Sequence, residues 1–355
     1  MSLKFHSLTV SKIIRETEDC VSIQFNIPES DKALFQYQSG QYLTFKKEIQ
    51  GEEIRRSYSL SSAPFEGIWR VAIKQIPQGI FSTYANTSLK VGDTLEAMPP
   101  MGNFVLHNPE QTTKNYALFA AGSGITPILS IAKSILNDDP NSTVHLFYGN
   151  KGFASIVYRE ELEALKNTYL ERFSLVHILS RESLGNPLQK GRIDKEKTLD
   201  LKERYFKDQQ IDDVFICGPE DMIMGVKEAL IEKGMDAKHI HFELFNTSSV
   251  KKEAKADENR AEIAANVTII LDGDELEIAL SSTGENILDA AQKAGADLPY
   301  ACKGGVCCTC KAKIMEGSAM MDVNYALEPD EIEAGYILTC QAHPTSEKLI
   351  VSFDE

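Results

Sequence analysis

The 355-residue chain has 43% hydrophobic and 25% charged residues, a soluble globular composition too long for one ordinary core, so two or three domains are expected. Its net charge is −15, and residues 267–355 hold 16 Asp and Glu against 5 Lys. That acidic end argues against nucleic-acid binding and suits either a basic protein partner or plain solubility. The start, MSLKFHSLTVSKIIRE, lacks a basic segment followed by an apolar run, so no secretory signal is expected. The longest apolar stretch, 117–132, contains Gly, Ser and Pro and is too short to span a bilayer. Seven cysteines, odd in number and clustered, predict a reducing, cytoplasmic setting and metal chemistry over disulfides.

The first segment, 1–108, reads as β. HSLTVSKIIRE, CVSIQFNIP, QYLTFKKEI, EIRRSYSLSS and WRVAIKQI are short alternating or β-branched runs separated by Gly, Pro and Asn/Asp clusters, and they predict a small antiparallel barrel. Within RRSYSLSS, Arg56, Tyr58 and Ser59 have the chemistry to hold a flavin: a guanidinium for phosphate, a ring to lie on the isoalloxazine, a hydroxyl for its edge. An ordinary alternating strand is the competing reading. In QGIFSTY, Gly79, Ser82 and Thr83 sit where a helix begins, and its free amides suit a phosphate.

The segment 109–246 changes rhythm. YALFAA, VHLFYG, FSLVHIL, DVFICG and HIHFEL alternate with helical stretches at 127–137, 158–170, 198–206 and 219–233, which predicts a Rossmann-like parallel sheet covered on both faces. AGSGITP follows the first strand. Gly122 and Gly124 permit a tight turn and close phosphate approach, Thr126 is placed to cap the helix, and Pro127 fits its first position. Cys217, Gly218 and Pro219 end the fourth strand, where a buried core thiol is the plain alternative for Cys217. A polar, charge-mixed stretch at 247–265 reads as a linker, with a short surface helix as the alternative.

The last segment, 266–355, opens with two strands around a Gly-Asp turn, VTIILDGDELEIAL, followed by a helix at 286–294. Then comes PYACKGGVCCTCKAK. Cys302, Cys307 and Cys310 are spaced C-x4-C-x2-C, and Cys340 follows after 29 intervening residues. This is the plant-type spacing for a 2Fe–2S cluster, in which soft thiolates hold iron and Gly304 and Gly305 let amides approach the sulfurs. Cys308 falls outside the spacing, and its side chain is expected to point away. A zinc ribbon would want a second C-x2-C pair, and a C-x-x-C redox pair would want a thioredoxin-like context.

The cysteine stretch, with GYILTCQAHP downstream, resembles a plant-type ferredoxin domain. The resemblance implies an α+β β-grasp fold with Cys302, Cys307, Cys310 and Cys340 as ligands. Arg-x-Tyr-Ser, Gly-x-Gly-x-Thr-Pro and Cys-Gly-Pro, in that order over residues 1–246, resemble the ferredoxin–NADP reductase superfamily. With the ferredoxin domain last, the order is similar to oxygenase reductases. KGGVCCTC, MMDVNYALEPDEIEAGYILTCQ and HSLTVSKIIRETEDCVSIQFNIP are most similar to the reductase subunits of phenylacetyl-CoA epoxidases.

The resemblance implies Arg56 on the flavin pyrophosphate, Tyr58 on its ring and Ser59 near its N5. It implies Gly122, Gly124 and Thr126 on the nicotinamide dinucleotide, with Cys217 near the nicotinamide ring. Ser59 and Cys217 are thus the expected catalytic pair. Ser180 and Arg181, after the third strand, suit a 2′-phosphate and favour NADPH, although an Arg181–Glu182 surface pair is the alternative. FAD is expected over FMN. The implied activity passes electrons from NADPH through FAD and a 2Fe–2S cluster to a di-iron oxygenase in phenylacetate catabolism. Other acceptors, such as a desaturase, another oxygenase or a hybrid-cluster protein, and a non-redox zinc module are the alternatives.

Overall fold

The computed structural model describes residues 4–106, 112–207, 209–245 and 262–355. The expected linker lies outside them except at its end, where a strand begins at Ala264. The first sheet uses β1 (His6–Thr17), β2 (Cys20–Asn26), β3 (Tyr42–Ile49), β4 (Glu52–Ser59), β5 (Trp69–Lys74), the helix α1 (Ile80–Thr87) beside it, and β6 (Thr94–Ala97). Its strands are antiparallel in the order β4-β3-β6-β1-β2-β5. The open edges meet where Leu60 bridges Val71 and Ser61 N–H donates to Arg70 O at 2.7 Å, so the sheet closes as a barrel. Alternation explains the core: Leu8, Val10, Ile23, Phe25, Leu43, Phe45, Val71 and Ile73 all point inward.

The second sheet is parallel. It comprises β7 (Asn115–Ala121), α2 (Ile125–Asp138), β8 (Thr143–Asn150), α3 (Arg159–Thr168), β9 (Phe173–Leu179), α4 (Lys195–Tyr205), β10 (Asp213–Gly218), α5 (Glu220–Glu232) and β11 (Ile240–Leu244). The strand order β11-β10-β7-β8-β9 reverses direction between β7 and β10, and ligands of such sheets bind in the crevice outside the strand ends at that point. Helix α2 is buried along nearly its whole length because it is trapped between this sheet and the barrel. Ser130 Oγ donates to Ser62 O at 2.6 Å and Lys133 Nζ pairs with Glu66 at 2.8 Å across that seam.

The third unit contains β12 (Ala264–Leu271), β13 (Asp274–Ser281), α6 (Ile287–Lys293), β14 (Lys311–Glu316), β15 (Ala319–Met321), α7 (Pro329–Glu333), β16 (Tyr336–Leu338), β17 (Ala342–Pro344) and β18 (Lys348–Ser352). Its mixed sheet runs β13-β12-β18-β14-β16, with β12 and β18 parallel, and α6 packs on it as in a β-grasp. The β12–β13 turn is Asp272-Gly273, both at positive φ, one residue earlier than the Gly-Asp pair read from the sequence. Asn286 caps α6 through its side chain, which accepts Asp289 N–H at 2.8 Å. No helix among the described residues is long and apolar enough to cross a membrane.

Candidate active site and cluster loop

Strand β4 carries two arginines whose side chains alternate. Arg56 is exposed, and its one hydrogen bond among the described residues goes to Arg55 O at 2.7 Å, so most of its donors face outward. Tyr58 packs on Phe81 of α1 with ring centroids 5.6 Å apart. Gly79 caps that helix, Ser82 Oγ accepts Ile76 N–H at 3.3 Å, and Thr83 Oγ1 accepts from Gln75 at 3.3 Å. The first turn of α1 therefore packs against the Tyr58 ring through Phe81.

Ser59 ends β4, and its hydroxyl donates to Glu243 Oε2 at 3.1 Å. Glu243 stands opposite Cys217 in the β10–β11 pairing. Burial pushes the Glu243 carboxyl up to about 8, against the pull of the Ser59 bond. Burial likewise holds the Cys217 thiol well above its ordinary range, helped by the Glu243 charge. At neutral pH the switch point therefore holds a largely protonated acid beside a hydroxyl, with the neutral Cys217 thiol buried. Cys217 is fully buried in the core that joins the sheet to α2, so the buried-thiol reading of its packing holds. Glu243 escaped the sequence reading; its one signal was an acid inside the apolar strand HIHFEL.

Gly122 and Gly124 do different work. Gly122 has φ +54 and open space where a side chain would stand. At Gly124 a Cβ would collide with the carbonyl oxygen of Cys217, so its bareness serves the protein's own strand as much as any phosphate. Gly124→Ala is expected to lower stability by about 2–3 kcal/mol, seen as a lower urea midpoint, because backbone stands in the way. Thr126 is not the cap: α2 begins at Ile125 as a continuation of the tight 122–124 turn, and Thr126 Oγ1 donates to Ser123 O at 3.0 Å. Pro127 is then the third residue of the helix. Gly218 lies under Met222 and Ala121, and Pro219 precedes α5 as its cap.

Ser180 and Arg181 follow β9 and are exposed. Glu182 does not pair with Arg181; its Oε2 accepts Phe153 N–H at 2.9 Å. Arg181 has no side-chain partner among the described residues.

The four predicted ligands converge. Cys302 lies within hydrogen-bond reach of Cys307 and Cys340, and Cys340 within reach of Cys310. Cys302 Sγ accepts Gly304 N–H at 3.3 Å and a further bond from the Val306 amide, while Gln341 Nε2 lies 3.7 Å from Cys340 Sγ. Gly305, at φ +72, turns the chain instead. Contacts with Cys307 and Cys340, aided by those amides, hold the Cys302 thiol far below its ordinary range, whereas its neighbours' contacts drive Cys307 and Cys340 far above theirs. Such crowding favours few negative charges unless iron supplies compensating positive charge, so the donor set fits a 2Fe–2S cluster.

Cys308 points away, as expected, against the outer face of the barrel at Tyr42. It lies 3.3 Å from Tyr42 Oη, and burial pushes its thiol up to about 11. Arg55, buried on the same side, donates to Leu298 O at 3.1 Å and to Asp297 at 2.5 Å, with its guanidinium 4.4 Å from the Tyr300 ring centroid. Asn103 Nδ2 donates to Glu331 at 2.6 Å. The cluster loop is thereby fastened to the barrel that carries the Arg56–Ser59 strand.

Three family models match in sequence order: an oxidoreductase FAD-binding domain over 7–106, an oxidoreductase NAD-binding domain over 118–228, and a 2Fe–2S iron–sulfur cluster binding domain over 269–345. The chain is 43% identical to one of the subunits of 1,2-phenylacetyl-CoA epoxidase from Escherichia coli, covering 99% of this chain and 98% of that protein. It is 34% identical to the ferredoxin reductase component of 3-ketosteroid-9-alpha-monooxygenase from Rhodococcus rhodochrous, covering 98% and 96%. Among solved structures, phthalate dioxygenase reductase aligns with a TM-score of 0.60 at 22% identity over 98% of both chains, a likeness of fold.

Proposed function

The chain belongs to the family of oxygenase reductase components that carry FAD-binding, NAD-binding and 2Fe–2S domains, and from that premise we propose that it delivers electrons from NADPH to the di-iron oxygenase component of a phenylacetyl-CoA epoxidase in the cytoplasm. The observation that carries this reading is the near end-to-end 43% identity to the epoxidase subunit. When bound, the flavin accepts a hydride and releases its electrons singly, and the cluster carries one at a time.

The chain's own residues orient these groups. Arg56 offers its free donors to the flavin pyrophosphate, with the amides at the start of α1 beside it, near Gly79, Ser82 and Thr83. Tyr58 would lie against the flavin ring. Ser59, Glu243 and Cys217 border the reacting edge, where Glu243 holds a proton on its carboxyl next to the Ser59 hydroxyl. Gly122, Gly124, Thr126, Gly218 and Pro219 line the crevice that receives the dinucleotide. Cys302, Cys307, Cys310 and Cys340 hold the cluster.

NADPH is favoured because Ser180 and Arg181 are exposed beyond β9 and Glu182 is engaged elsewhere. Arg181→Ala is expected to raise KM for NADPH about tenfold and leave KM for NADH nearly unchanged in steady-state assays, since a charge-assisted phosphate contact is lost only with the former. The deciding experiment reconstitutes the purified protein with the epoxidase oxygenase component, NADPH and phenylacetyl-CoA. Epoxide formation supports the reading. Efficient NADPH oxidation that drives only a different oxygenase would sink it, and a ketosteroid monooxygenase is the natural comparison, given the 34% identity to its reductase component.

A further inference from the structure

The hydroxyl of Tyr42 makes three contacts with the two residues that lie between ligands Cys307 and Cys310. It stands 3.3 Å from Cys308 Sγ and 3.1 Å from Thr309 Oγ1, and it accepts Cys308 N–H at 3.2 Å. Thr309 Oγ1 is also 3.4 Å from Thr44 Oγ1, which bonds Ser57 at 2.9 Å. Tyr42, Ala301, Cys307 and Cys308 close over one another as a separate apolar cluster. The Tyr42 ring is fixed from behind. A Cβ on Gly102, at φ +123, would press on its edge at 3.1 Å, and the Tyr42 backbone exchanges hydrogen bonds with Met101 at 2.8 and 3.0 Å. In the β3–β4 register Tyr42 faces Ser59 and Leu43 faces Tyr58. One strand pairing and one hydrogen bond therefore separate the flavin strand from the loop that carries two cluster ligands.

We propose that Tyr42 is a positioning residue for electron passage from flavin to cluster, holding the Cys307–Cys310 loop at a set distance from the flavin strand through its hydroxyl. This rests on the electron-transfer function proposed above. Each passage moves one electron from reduced flavin to the oxidised cluster, two per hydride taken from the nicotinamide. Tyr42 and Cys308 keep their protons, and no bond to either is made or broken. The role is local. The Arg55 contacts with Asp297 and Leu298 and the Asn103–Glu331 bond do not involve Tyr42, so they keep the units joined when its hydroxyl is removed.

The test uses full-length protein carrying flavin and cluster, with Tyr42→Phe as the probe. After anaerobic mixing with NADPH, flavin bleaching should proceed at the wild-type rate, and cluster bleaching should slow about tenfold, as the loss of three neutral hydrogen bonds allows. The dithionite-reduced cluster should keep its EPR signal. Alkylation of Cys308 by iodoacetamide, mapped by mass spectrometry, should accelerate several-fold because the loop loosens. Cys308→Ser preserves a polar partner for Tyr42 and should transfer at close to the wild-type rate. Should Tyr42→Phe fail to fold, Cys308→Ala removes one contact from the other side and should slow cluster bleaching about threefold. Unchanged cluster bleaching with Cys308 still protected overturns the proposal, as does a parallel fall in flavin bleaching. Wild-type protein lacking flavin or cluster absorption overturns the underlying function as well.

Discussion

Serine at Cys302, Cys307, Cys310 or Cys340 is expected to abolish the visible absorption of the cluster, whereas Cys308→Ser leaves it intact. The four proposed ligand sulfurs lie within reach of one another in a chain from Cys307 through Cys302 and Cys340 to Cys310. A hydroxyl is a harder donor that resists deprotonation, so replacing one thiolate removes a quarter of the ligand set from an iron centre that prefers sulfur. Cys308 is buried just as deeply, at 4% exposure, but its sulfur is spent on Tyr42 across the interface. Iron content and absorption of each purified variant check the result. A cluster retained at full occupancy in Cys340→Ser, or lost in Cys308→Ser, would overturn the ligand assignment.

The second large effect concerns pH. Glu243 ionises at an ordinary 4.5 when unfolded and at about 8 in the folded chain. Between those values the folded state holds one more proton than the unfolded state. Its stability therefore falls as pH rises through that window and levels above it. Glu243→Gln cannot ionise, so the variant should gain stability relative to wild type from about pH 4.5 to about pH 8, measured by urea unfolding. The same proton sits beside Ser59, the residue proposed to border the flavin's reacting edge. Flavin reduction by NADPH in the wild type should change about tenfold across pH 7 to 9, and Glu243→Gln should flatten that profile. A variant that keeps the wild-type break near pH 8 would show that another group titrates there.

Much of this architecture was legible in the sequence because it is written locally. Strand and helix periods distinguish the first two sheets, and the cluster spacing is contained in one loop plus one distant cysteine. What escaped lies in long-range pairing. Ser59 and Glu243 are separated by 184 positions, and only closure of the second sheet against the barrel brings them within hydrogen-bond distance. Arg55 and Arg56 look equivalent as letters. A strand sends successive side chains to opposite faces, so one is buried against Asp297 and the other is left with free donors. Tyr42 lies in the strand run QYLTFKKEI, and nothing local in those letters shows that its hydroxyl meets the cluster loop 266 positions away. The expected Thr126 cap failed for a different reason: the glycine turn runs directly into α2, leaving no separate start for a side chain to cap.

The sheet beneath the cluster has β18 near its middle, parallel to β12 and antiparallel to β14. That strand is made after Cys340, so during synthesis all four thiols emerge before the scaffold that holds them apart can close. Until β18 slots in, β12–β13 and β14–β16 are two unjoined strand pairs with open edges. The sheet that backs Cys310 and Cys340 is therefore complete only when Lys348–Ser352 has joined the two pairs.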